Sequence, residues 1–79
     1  MVVIQLCCAE VGDYCKIIKI EGEIRGRLSE LGLNNNQIIK VVNHNGKNGP
    51  INIQIRDYNL ALRHNEAECI EVEIMPKNS

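Results

Sequence analysis

The cysteines and histidines of this chain are the residues whose types could support metal or redox chemistry. There are four cysteines and two histidines in 79 residues: Cys7, Cys8, Cys15, Cys69, His44 and His64. Thiolates and imidazoles are good ligands for zinc or iron, and an even number of cysteines in a small chain can also form disulfides. The spacing does not favour a metal site, because adjacent Cys7 and Cys8 cannot easily face one tetrahedral ion and no C-x-x-C or H-x-x-x-H pair is present. Disulfides are not favoured in a sequence without a secretory signal. We therefore expect reduced thiols in or near the core, solvated histidines and no cofactor, with a cysteine metal site as the alternative.

The other candidate groups do not indicate an enzyme. Ser29 has no base near it in the sequence, and Ser79 is the last residue. The segment "HNGKNGP" at residues 44–50 is rich in turn-forming residues but lacks the G-x-x-x-x-G-K-[ST] spacing of a phosphate-binding loop. The sequence therefore predicts a protein without catalytic activity.

Composition excludes several other classes. The net charge is -1, and the only aromatic residues are two tyrosines, whereas nucleic-acid binders carry a basic stripe or stacking aromatics. The opening "MVVIQL" is too short to span a membrane and lacks the basic segment and cleavage site of a signal peptide. We expect a cytoplasmic protein that neither binds nucleic acid nor inserts into a membrane.

Five stretches have the composition or alternation of short strands. The clearest is "INIQIR" at residues 51–56, in which every second residue is isoleucine; "CIEVEI" at 69–74 alternates in the same way, and its Glu71 and Glu73 are expected to face solvent. The others are "YCKIIKIEG" at 14–22, "QIIKVVN" at 37–43 and "NLAL" at 59–62. Ile17 and Ile18 are adjacent, which interrupts the alternation and indicates a bulge. The core is expected to include Ile53, Ile55, Ile70 and Val72.

One short helix is predicted among these strands, at about residues 24–31. Ile24, Leu28 and Leu31 follow i, i+4, i+7 spacing, so they should face inward and cover an open end of a small barrel. Gly32 stands where a helix C-terminus needs positive φ. "RHNEAE" at 63–68 predicts a further helical turn before the last strand.

These segments, taken in order, resemble the FeoA family of bacterial ferrous iron transport. "RLSELGL", the following strand and "GPINIQIRDYNLALRHNEAECIEV" carry the resemblance, which runs from about Leu6 to Val72. The resemblance implies an all-β, SH3-like barrel of about five strands with one short helix, and a single domain over residues 1–79. The family usually has glycine where this chain has Asn36, and asparagine is the next best residue for left-handed backbone.

The resemblance also implies a function and a partner. It implies a non-enzymatic accessory protein that binds the cytosolic GTPase domain of the FeoB-type ferrous iron permease. From the helix geometry we expect partner contacts from Arg25 and Arg27, and Arg63 is a further family-pattern position. Leu33 follows the cap glycine, where a hydrophobic residue can pack back on the helix or stay partly exposed as an apolar partner contact. Arg27 and Arg63 could instead pair with a carboxylate such as Glu30 or Glu66.

Other functions stay open at this point. The alternatives are a metal carrier or sensor that uses its cysteines, and an isolated barrel domain related to metal-dependent transcriptional repressors. The loop at 44–50 is a second candidate binding surface. A weak homo-oligomer also stays open.

Overall fold

The computed structural model describes residues 2–45 and 49–76. Residues 46–48, within the candidate loop at 44–50, lie outside the described residues. Within the described residues, six strands form one antiparallel sheet in the order β1-β6-β2-β3-β4-β5. In chain order the elements are β1 (Val3–Gln5), a 3₁₀ turn (Leu6–Cys8), β2 (Tyr14–Ile20), α1 (Ile24–Glu30), β3 (Ile38–His44), β4 (Ile51–Ile55), β5 (Tyr58–Leu62), α2 (His64–Ala67) and β6 (Ile70–Ile74).

The core is almost entirely aliphatic. Ile53, Ile55, Ile70 and Val72 are all fully buried, as their alternation predicts. They belong to one cluster with the buried residues of β2, β3 and the turns, and Leu28 is the buried residue of α1 in that cluster. The sheet curls around this cluster, and Leu28 of α1 covers the cluster at the end of the barrel.

Two local irregularities that the sequence predicts are present in the structure. The register between β2 and β6 shifts between Ile17 and Lys19, so the adjacent isoleucines mark the predicted bulge. Asn36 has φ 70°, the left-handed conformation expected of it, and its N–H donates to the Ile17 carbonyl at 2.6 Å. The turn after the helix is thereby joined to the bulge.

The sequence did not predict β1. Val3–Gln5 pairs with β6 at the edge of the sheet, and its residues are exposed at both ends of the strand. An edge strand of three residues has too short a pattern to distinguish it from an extended terminus.

In the part of the chain that the structure describes, no helix has the length and apolar character needed to cross a bilayer.

Candidate interaction surface

Helix α1 ends in a Schellman motif, which fixes where the side chains after it point. Gly32 has φ 102°, and its N–H donates to the Ser29 carbonyl at 3.0 Å. The Leu33 N–H donates back to the Leu28 carbonyl at 2.9 Å. This is the paired hydrogen-bond pattern of the motif, in which the residue after glycine packs against the last turn of the helix.

The motif reverses two predictions about leucines. Leu33, predicted as an exposed contact, is 0% exposed, so the prediction of an apolar anchor at this residue is wrong. Leu31, predicted to face the core, is 38% exposed. The chain reversal at Gly32 brings Leu33 into the same buried cluster as Leu28, while Leu31, which the helical spacing assigned to the core, stays at the surface.

Leu31 is held next to an exposed aromatic ring. The Tyr58 hydroxyl donates to the Leu31 carbonyl at 2.6 Å, and Tyr58 is 42% exposed. A Cβ on Gly32 would lie 2.2 Å from the Tyr58 Oη, so only glycine leaves room for this contact. The hydrogen bond joins the β4–β5 turn to the end of α1 and leaves two large apolar side chains at the surface.

Arg27 lies on the same side of α1 as Leu31 and is paired to α2. Its guanidinium forms a salt bridge with Glu66, whose side chain is only 7% exposed. The other carboxylate oxygen of Glu66, Oε1, accepts the Arg63 backbone N–H at 2.9 Å and so caps α2. The Arg27 side chain is still 64% exposed, so it can contact a partner while it is bound to Glu66.

The remaining predicted contacts are Arg25 and Arg63, and both residues are exposed. At about 100° per residue, Arg25 lies roughly 200° around the helix from Arg27, beside Ser29 and Leu33. We therefore define the α1 surface as Arg27, Leu31, Tyr58 and Arg63, with Arg25 on the opposite flank. The sequence analysis missed Tyr58, although an aromatic residue directly after a tight polar turn is a signal that could have suggested it.

The four cysteines are free and lie in different surroundings. Cys15 is fully buried on β2, and burial, with a smaller effect of Asp13, raises its thiol pKa to about 11. Burial also raises the pKa of the Cys7 thiol to about 11, aided by neighbouring Cys8 and Glu68. The Cys69 thiol lies 3.5 Å from the Asn65 carbonyl. Raised pKa values favour protonated thiols, which are poor metal ligands.

The histidines are also separated in the fold. His44 ends β3, whereas His64 begins α2 and its Nε2 lies 3.4 Å from the Glu68 carboxylate. Across residues 2–45 and 49–76, His, Cys, Asp and Glu side chains form no group of three or more that could hold a metal ion. The cysteines and histidines are thus not brought together as one ligand set within that part of the chain.

The fold defines the class of protein: a small, SH3-like β-barrel built from one antiparallel sheet. A family model described as the FeoA domain matches residues 4–74, and this chain belongs to the FeoA family.

Two relatives agree with this assignment. A curated protein of Porphyromonas gingivalis (strain ATCC BAA-308 / W83), named Fe(2+) transport protein A/Fe(2+) transporter FeoB fusion protein, is 36% identical over 70 residues. The match covers 86% of this chain and only 8% of that protein. The solved structure of a FeoA-like protein from Clostridium acetobutylicum has a TM-score of 0.86 at 28% identity, covering 100% of this chain and 95% of that one.

A likeness in fold alone extends to transcriptional repressors. A manganese-dependent transcriptional repressor has a TM-score of 0.84 at 18% identity, with 92% of this chain and 42% of that chain covered. At this identity the comparison concerns the barrel and gives no support to a regulatory role.

Proposed function

We propose that this chain is a non-enzymatic accessory protein of ferrous iron uptake that binds the cytosolic, GTPase-bearing part of a FeoB-type permease. The observation that carries the proposal is the Porphyromonas gingivalis fusion, which joins a region similar to this chain to a FeoB transporter in one polypeptide. A covalent link holds two modules at high effective concentration, which favours binding between them. A separate chain must achieve the same association through a binding surface.

The α1 surface has the composition of such a binding site. Leu31 and Tyr58 supply exposed apolar area. Arg27 lies one helical turn before Leu31, and Glu66 joins Arg27 to the backbone of exposed Arg63. Aromatic residues and arginine are enriched where interface energy is concentrated, and apolar anchors with a charged rim are typical of interfaces. The salt bridge to Glu66 fixes Arg27, so less side-chain entropy is lost on binding.

Leu31 is the most informative residue to mutate in a test of the α1 surface. It follows the last residue of α1 and is already partly in water, so Leu31→Gln should change the free energy of unfolding by less than about 1 kcal/mol. Arg27 is less suitable, because an acidic residue there would face the buried carboxylate of Glu66. Arg25→Glu tests the opposite flank of the helix without that complication.

The experiment is a calorimetric titration of the permease's cytosolic domain with wild-type chain and each variant. Val11→Gln is the matched control, because Val11 is 57% exposed and lies in the turn before β2. We expect Leu31→Gln to weaken binding by about 10-fold or more, equivalent to about 1.4 kcal/mol, while Val11→Gln binds as wild type. Failure of the wild-type chain to bind would contradict the proposed function, and wild-type affinity of Leu31→Gln would exclude the α1 surface.

A further inference from the structure

An open groove lies at the end of the sheet where β1 and β6 meet. It has a volume of about 690 Å³ and is lined by residues of β1, the 3₁₀ turn, the loop before β2 and the end of β6. Sites of about 300–1,000 Å³ bind drug-sized molecules, so this groove has room for a few amino-acid side chains. We call it the β1–β6 groove.

The apolar wall of the β1–β6 groove is fixed by the sheet. Ile4 pairs with Val72 in the antiparallel register, and the Ile74 N–H donates to the Val2 carbonyl at 3.0 Å. Ile4 and Ile74 are partly buried against the core, whereas Val2 is 59% exposed. A ligand would therefore meet a preformed apolar surface, which limits the entropy lost on binding.

Among the residues that the structure describes, the charged side chains that line the groove are all acidic. They are Glu10, Asp13 and Glu73. Asp13 uses one carboxylate oxygen to accept the Glu10 N–H at 3.0 Å, which holds the loop in place. Lys16 is the register neighbour of Glu73 on β2, but no salt bridge joins these two residues, both of which are described. The described wall of the groove thus combines apolar contact area with three carboxylates, one of which lies opposite Lys16.

This combination selects an occupant that is both basic and apolar. Membrane proteins carry such segments where a transmembrane helix meets the cytosol, because cytosolic flanks are enriched in lysine and arginine and continue into apolar sequence. We infer that the β1–β6 groove binds a basic segment that flanks a membrane helix of the permease on its cytosolic side. This inference depends on the proposed function and extends it to a second contact, made by residues outside the α1 surface.

Two kinds of variant test the groove while leaving the fold intact. Glu10→Gln with Glu73→Gln removes two negative charges at constant shape, and Val2→Lys places a positive charge on an exposed residue of the wall. The matched control is Glu21→Gln with Glu68→Gln, which removes the same charge from two exposed residues elsewhere. Thermal melting of each variant establishes that it is folded.

The titration uses the whole permease in lipid nanodiscs, the isolated cytosolic domain, and a synthetic peptide that spans one basic membrane flank. Each exposed charge contact changes affinity by about 2- to 5-fold. The double variant Glu10→Gln with Glu73→Gln should therefore bind the whole permease about 4- to 25-fold more weakly than wild type at low salt. The control should bind as wild type, and the peptide should bind the wild-type chain but not the variant with Val2→Lys.

The outcomes separate this inference from the proposed function. Equal affinity of wild type and groove variants for the whole permease would overturn the inference while leaving binding through the α1 surface intact. Equal binding of a peptide whose lysines and arginines are replaced by serine would also overturn it. If neither permease nor domain binds, the proposed function fails, and the inference fails with it.

Discussion

Replacing Gly32 by alanine tests whether the end of α1 depends on both its backbone conformation and its contact with Tyr58. At φ 102° an L residue is strained, and left-handed backbone costs alanine about 1–2 kcal/mol. The new Cβ would also lie 2.2 Å from the Tyr58 Oη, so the ring must move and its hydrogen bond to Leu31 is lost. That bond contributes about 0.5–1.5 kcal/mol. Gly32→Ala should therefore destabilise the protein by about 1.5–3.5 kcal/mol.

A double-mutant cycle separates the two causes. Tyr58→Phe removes only the hydroxyl and should cost about 0.5–1.5 kcal/mol. With the hydroxyl gone, the next ring atom is 3.5 Å from the new Cβ, an ordinary contact. The combined variant should then be more stable than the sum of the single effects by about 0.5 kcal/mol or more. Urea unfolding followed by circular dichroism measures all four proteins. Additive effects would refute the steric part of the reasoning, and a Gly32→Ala cost below about 0.5 kcal/mol would refute the backbone part.

Three further predictions concern the core, a turn and a buried thiol. Ile53→Ala should lower the free energy of unfolding by about 2–4 kcal/mol in a urea titration, because Ile53 is 0% exposed; a loss below about 0.5 kcal/mol would contradict its burial. Arg56→Gly should stabilise the protein by up to about 1 kcal/mol, because Arg56 in the β4–β5 turn has φ 56° and glycine adopts this left-handed backbone without strain. A lower melting temperature of the variant would contradict this, because it would show that the arginine side chain contributes more stability than the relief of backbone strain. The Cys15 pKa is raised from 9.0 to about 11, so the native state holds this proton more tightly than the unfolded chain, and stability falls as pH rises from 9.0 towards 11. Relative to Cys15→Ala, the wild type should lose up to about 3 kcal/mol across that range, and parallel pH profiles for the two proteins would exclude the effect.

Much of the fold could be predicted because its signals are local. Alternating isoleucines predicted β4 and β6, and the adjacent pair Ile17 and Ile18 predicted the bulge in β2. Asn36 adopts the backbone conformation that its residue type favours. Each of these features depends on a few neighbouring residues, so the sequence contains the necessary information.

The candidate surface was harder to predict because it depends on contacts between distant residues. Helical periodicity assigned Leu31 to the core, but periodicity ends where the helix ends, and after the Schellman motif Leu33 is the buried leucine. Tyr58 is 27 residues from Leu31 in the chain, and Glu66 is 39 residues from Arg27. Spacing in the sequence does not show the Tyr58 contact, and for Arg27 it left Glu30 and Glu66 as equal candidates.

The way α1 is attached to the barrel has a consequence for its dynamics. Leu28 is the buried side chain of this seven-residue helix, and Ile24 is partly buried against the core. The Tyr58 hydrogen bond to Leu31 and the Arg27 pair with Glu66 add two further attachments. The amides of α1 should therefore exchange with deuterium through local opening, whereas those of β2 and β3 should require global unfolding. A partner that binds the α1 surface recognises the closed helix and would slow exchange there first. Amide exchange in α1 would then report occupancy of the surface, independently of any change in the rest of the barrel.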